Sequence, residues 1–229
     1  KDEEAVSSGA PPEQLDALAE EHVPEDVRNK LASANWKERL EAADAVCTMA
    51  REKGEGMEHP IPEAIVRLLA KAVVDKKETN FQVSAKAFEA VHALAEKSPK
   101  FTKRAAHWFV GGLVEKLGDA KLRAPANDCL LMIAEACSPQ FVLSQAYDHI
   151  SKQKSPKTQE NALCWINTLA SEFGIRLLKA KQLLDFTKTL LEASNPGVKR
   201  AAVDLLATMR RQLGPDVRGM LADVKPALL

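Results

Sequence analysis

Five short stretches hold the residues suited to contact chemistry. "SANWKERLE" carries Trp36 and Lys37, "KKETNFQVS" carries Phe81 and Val83, and "GDAKLRAPA" carries Lys121 and Arg123. "SKQKSPKTQE" offers Lys152, Lys154 and Lys157, and "SNPGVKRAA" offers Lys199 and Arg200. These residues recognise; they do not make or break bonds. A tryptophan between polar neighbours reads as an exposed anchor, because Trp is frequent among interface hot spots. Its alternative is a side chain folded back as a plug between neighbouring units. Of Phe81 and Val83, at least one is a candidate for the core. The lysines and arginines suit an acidic partner, and Glu38, Glu78 and Asp119 dilute their charge without cancelling it. The pattern is graded, apolar in the first two stretches and basic in the last three.

The parts for catalysis are missing. The sequence has no Gly-rich phosphate loop, no Gly-x-Ser-x-Gly and no His-Glu-x-x-His. The histidines, His22, His59, His92, His107 and His149, are scattered with no acid or thiol at catalytic spacing. Cys47, Cys129, Cys137 and Cys164 form no Cys-x-x-Cys pair and no zinc pattern, and are expected as reduced core cysteines. No catalytic residue, metal or cofactor is therefore expected. The 32 basic and 32 acidic residues balance, which argues against a non-specific nucleic-acid binder. No apolar run approaches the ~20 residues of a membrane helix. The acidic opening "KDEEAVSSGAPPE" does not read as a signal peptide, and the absence of an initiator Met suggests a piece of a longer protein.

The elements that must position these stretches are revealed by an internal repeat. Sixteen-residue segments beginning at 35, 80, 119, 155 and 195 stack on one another, with spacings of 45, 39, 36 and 40. Their eighth residues are Ala42, Ala87, Ala126, Ala162 and Ala202. Their twelfth are Val46, Val91, Leu130, Ile166 and Leu206, and their fifteenth Met49, Leu94, Ile133, Leu169 and Met209. Steps of four and three place these on one helical face, where the small residue lets helices approach. A second helical pattern precedes each segment, and Pro24, Pro62 and Pro139 stand near helix starts. Each unit reads as helix A, a short loop and helix B, over the length of a HEAT or armadillo repeat. The expected fold is an all-α solenoid of about six antiparallel helix pairs. Residues 1–12 are expected as a flexible tail and 13–229 as one domain, with "GPDVRGMLADVKPALL" as helix A of a sixth unit.

In such a solenoid all A–B loops lie along one edge, beside the B-helix N-termini with their free N–H groups and positive dipole ends. Pro125 disfavours helix just before it, so the third B helix is expected to start about a turn late, leaving Lys121 and Arg123 in the loop.

With that register in place, "NWKERLEA", "KETNFQV", "GLVEKLGD", "SPKTQENALCW", "NPGVKRAA" and the closing "VRGMLADVKPALL" resemble a TOG domain of the microtubule polymerases that carry TOG arrays. The third TOG domain of the animal-type array is the most similar in kind, over roughly residues 24–229. The resemblance implies a flat paddle of six HEAT repeats whose loop edge binds the αβ-tubulin heterodimer, free or in the microtubule lattice. It implies that Trp36, with Lys37 beside it, packs on β-tubulin and that Val83 is the apolar contact of the second loop. Lys121 or Arg123, Lys157, and Lys199 or Arg200 match the basic contacts, the last pair reaching toward α-tubulin. Further TOG domains in the same longer chain are implied, as is a place in the cytoplasm on microtubules, spindle and centrosome. The altered third loop and the truncated sixth repeat depart from the family pattern. The alternative is a HEAT-repeat scaffold that binds another protein or peptide along a helix face.

Overall fold

Asn, Asp and Ser residues at the first position of each repeat decide where the B helices begin. In this computed structural model, which describes residues 2–216 and 219, the Asn35 side chain accepts from Lys37 N–H. Asn80 and Asn195 each accept from the two N–H groups that follow by two and three residues. Ser155 accepts from Thr158 N–H. Such caps satisfy donors that the helix itself leaves free. The B helices they open are α4 (Trp36–Lys53), α6 (Phe81–Lys97), α10 (Pro156–Phe173) and α12 (Pro196–Leu213). In the third repeat Asp119 instead binds Lys121 and Leu122 N–H, and α8 (Arg123–Ala136) starts three residues later than its counterparts.

The A helices are α3 (Glu25–Leu31), α5 (Ile61–Leu69), α7 (Lys103–Lys116), α9 (Pro139–Lys152) and α11 (Ala180–Leu191). A π-helical turn at Ala70–Asp75 extends α5. Pro24 is the N-cap of α3, Pro62 the second residue of α5 and Pro139 the first of α9, as their fixed φ favours. The A and B helices form two layers, and among the described residues there is no strand. This is the HEAT-repeat solenoid expected.

The repeat stripe is the core between the layers. Ala42, Ala87, Ala126, Ala162 and Ala202 are all buried, as are the five residues four positions on. At the fifteenth position only Met49 is part-exposed. The B layer runs α4–α6–α8 and then α10–α12, with sparser packing between α8 and α10. There the end of α7 meets α10 instead, with the Asn161 Nδ2 donating to the carbonyl of Leu117, the cap of α7, at 2.8 Å. Gly118 allows the close approach, since a Cβ there would lie 2.1 Å from Thr158 Oγ1.

Residues 2–12 depart from the loose tail expected of this segment. They carry α1 (Asp2–Ser7), which lies against α7, and Arg104 Nη1 donates to the Ala10 carbonyl at 2.6 Å. Val6 packs on the main core, and burial of that apolar group outweighs the polar composition of the segment. A further helix, α2 (Pro12–His22), has no counterpart in the repeat. It lays Leu15 and Ala19 on α5, and its Asp16 bridges Arg67 and Lys71 of that region at 3.0 and 2.6 Å. The remainder of the expected sixth unit, 217–229 apart from residue 219, lies outside the described residues.

Candidate functional site

The two residues after each cap point away from the layers, and this geometry builds the edge. Trp36 and Phe81 are the first residues of α4 and α6, and they are 37% and 38% exposed. Ala120, Pro156 and Pro196 hold the same register and are exposed too. One residue on, Lys37, Gln82, Lys121 and Lys157 are exposed. Trp36 is thus not a plug in the core.

Val83 corrects the expectation that it is a surface contact. It is 1% exposed, within the core cluster. It is the third residue of α6, where the helix has turned its side chain inward. Leu122, Thr158 and Val198 occupy the same register and are buried as well. Only in the first repeat is that position exposed, as Glu38. Phe81 therefore holds the apolar position of the second loop.

The first two loops are clamped together. Arg39 of α4 forks onto Glu78 before α6, through Nε at 2.6 Å and Nη2 at 2.8 Å. Its Nη1 donates to the carbonyls of Ser33 and Ala34 at 2.9 and 3.0 Å. Glu78 also accepts from Asn80 N–H at 2.8 Å. Burial alone would raise the Glu78 pKa, but the Arg39 hydrogen bonds and the Asn80 N–H outweigh it and hold the carboxyl below its ordinary value. A planar guanidinium that satisfies a carboxylate and two carbonyls at once fixes orientation as well as distance. Trp36 and Phe81 are thereby presented on a stiff platform. Lys121 Nζ lies 4.1 Å from the Phe81 ring centroid and Lys37 Nζ 6.0 Å from that of Trp36, so cations frame both rings.

The basic residues fall into two kinds. Lys121 is exposed in the turn before α8, whereas Arg123 is already the first residue of that helix. Lys157 is exposed in the first turn of α10, where it pairs with Glu160 at 3.2 Å. Such an exposed i,i+3 pair is weak and leaves the ammonium available. Lys199 and Arg200 are not loop residues as expected but the fourth and fifth residues of α12, Lys199 half-buried and Arg200 exposed. α12 opens at Pro196, in the same register as α4, α6 and α10, and so takes both into its first turn and a half. Lys152 ends α9, and Lys154 is exposed in the loop that follows.

An open groove of about 630 Å³ runs beside Phe81 between α4, α6 and α8. Leu40, Ala85, Phe88, His92 and Pro125 line it, with Arg51 and Lys86 at its rim tied to Glu89. It arises from the spacing of the helices, which no local sequence pattern encodes. Among the described residues no group of three or more His, Cys, Asp or Glu gathers to hold a metal. His107 Nδ1 meets Gln145 Oε1 at 2.6 Å and His149 packs over Gly111, both on the A layer. Cys47 and Cys129 are buried and the half-buried Cys137 packs against the core, whereas Cys164 is exposed and departs from the core placement expected. Cys164 lies on the outward face of α10 and Cys137 just past the end of α8. No helix among the described residues is long and apolar enough to cross a membrane.

Residues 25–229 match the family model described as XMAP215/Dis1/CLASP, TOG domain. The chain is 37% identical over 209 residues to Protein MOR1 of Arabidopsis thaliana, with 90% of this chain and 10% of that protein covered. It is 31% identical over 218 residues to Protein mini spindles of Drosophila melanogaster, covering 95% and 10%. The chain thus spans about a tenth of the length of these relatives. The solved structure of Drosophila melanogaster Mini spindles TOG3 superposes with a TM-score of 0.81 at 30% identity, covering 90% of this chain and 89% of that one.

Proposed function

The chain belongs to the XMAP215/Dis1/CLASP family as a TOG domain, and from that premise we propose that its A–B loop edge binds αβ-tubulin and so contributes to microtubule growth. One observation carries the reading. Trp36 and Phe81, two of the few large apolar side chains left exposed among the described residues, stand at the same register of adjacent repeats, at one end of a row of cations. A rigid aromatic pair is suited to bury against a partner and to slow its release, while exposed cations draw an acidic surface in. Trp36, Lys37 and Phe81 form the anchor. Lys121, Arg123, Lys157, Lys199 and Arg200 form the cationic part, and Val83 contributes only by holding α6 in place.

The binding is non-catalytic and needs no cofactor. Residues 13–229 form the tubulin-binding unit, one of several such domains in a longer chain, as its share of its relatives suggests. The names mini spindles and Centrosomal protein 224, the latter a Dictyostelium discoideum relative, fit a cytoplasmic place on spindle microtubules and centrosomes. Titration of the chain with αβ-tubulin tests the reading. Trp36→Ala is expected to weaken binding by at least ~2 kcal/mol, about thirtyfold, with an unchanged melting temperature. Equal affinity in parent and variant would refute the anchor.

A further inference from the structure

The tetrapeptide Lys-Ser-Pro-Lys occurs twice, at 97–100 and at 154–157. The fold treats the two copies differently. Ser98 follows the last turn of α6, is 6% exposed, and its Oγ is enclosed without a hydrogen-bond partner. Ser155 lies on the proposed binding edge, and Lys154, Ser155, Pro156 and Lys157 are all exposed. Its backbone is extended, with φ −78 and ψ 114, and its Oγ holds only the Thr158 N–H at 3.3 Å. A third Ser-Pro, Ser138–Pro139, is half-buried, opens the A helix α9 and has Gln140 where the other two have lysine.

We propose that Ser155 is a phosphorylation site for a proline-directed protein kinase, and that the phosphate weakens the cationic end of the tubulin edge. This rests on the tubulin-binding reading above. In the transfer, Ser155 Oγ attacks the γ-phosphorus of ATP. The new O–P bond forms as the bond to the ADP oxygen breaks, and the hydroxyl proton passes to the kinase's base. Lys152, Lys154 and Lys157, set against Glu160, give this loop a surplus of two positive charges. A phosphoserine carries roughly −1.5 to −2 charge near neutral pH, which cancels that surplus. The same phosphate sits at the N-terminus of α10, where the helix dipole and free N–H groups favour an anion. The modification thus alters the surface without harming the fold.

The test treats the whole chain with a proline-directed kinase and ATP, maps phosphate by mass spectrometry, and measures association with αβ-tubulin by stopped flow at low salt. Phosphate is expected on Ser155 and not on Ser98. Ser155→Asn is expected to block it while keeping the cap, because Asn195 caps α12 ahead of Pro196 in the same way. The phosphorylated chain is expected to associate about fivefold or more slowly, within the range that electrostatic steering spans, with a melting temperature equal to or above the parent's. A Ser155 left unmodified while a peptide of residues 150–160 is phosphorylated overturns the proposal. So does a phosphorylated chain that associates at the parent's rate. If the unmodified chain fails to associate at all, the tubulin reading itself falls, a result distinct from equal rates in both forms.

Discussion

Replacing Glu78 by Gln tests whether the loop platform depends on the Arg39 clamp. The change keeps the shape and removes the charge. Arg39 and Glu78 have side-chain exposures of 18% and 4%, so water cannot fully replace the lost partner. Breaking a buried pair by removing one charge costs about 3–5 kcal/mol. Arg39 keeps its bonds to the Ser33 and Ala34 carbonyls and some access to solvent, which lowers the expected loss to about 2–3 kcal/mol. For a chain of this size that is about 4–12 °C in melting temperature. The loss also depends on pH. The folded state holds the Glu78 pKa below its ordinary value of 4.5, so it binds this proton less readily than the unfolded chain does. The stabilisation is therefore full above pH 4.5 and fades as pH falls through the lowered folded value. Thermal melts of parent and Glu78→Gln at neutral pH and at successive steps below pH 4.5 are expected to converge on acidification. Equal melting at neutral pH, or a gap that stays constant into acid, would mean that the Arg39–Glu78 pair does not hold the loops.

Three further changes separate core from surface. Ala126→Leu adds bulk to a fully buried position on the repeat stripe, and denaturant melts are expected to show a loss of about 1–3 kcal/mol. Val83→Ala is expected to lower stability by about 1–3 kcal/mol, whereas Phe81→Ala is expected to leave the melt unchanged and weaken tubulin binding, which melts paired with a titration will resolve. Gly118→Ala puts a methyl group against Thr158 and is expected to destabilise the contact between the end of α7 and α10, read as a lower melting temperature and faster hydrogen exchange at Asn161 and Leu117.

The repeat was legible because alanine recurs wherever two B helices must approach, and each such alanine is buried in the structure. The late start of α8 was legible from Pro125, although its effect stopped short of Arg123. Residue type left either Phe81 or Val83 for the core, and the resemblance made Val83 the contact, but the helix turns its third side chain inward. The fourth position of the repeats, where Val83, Leu122, Thr158 and Val198 fall, carries that inward turn in four of the five. The α2 helix went unread because it has no repeat partner, although Pro12, Leu15 and Ala19 carry helical spacing. The Arg39–Glu78 clamp joins residues 39 positions apart. A single sequence does not show which of many charges meet at that distance.

If the loop edge contacts tubulin as proposed, its cations act mainly in the encounter, and this is read from the association rate of Lys157→Glu/Arg200→Glu with αβ-tubulin at two ionic strengths. Both positions are exposed on the edge, and charges there act over about 8–10 Å near physiological salt. The double reversal is expected to cut the low-salt association rate at least tenfold and to flatten its salt dependence. A double variant that associates at the parent's rate in low salt would contradict the claim, and would move the contact to a helix face.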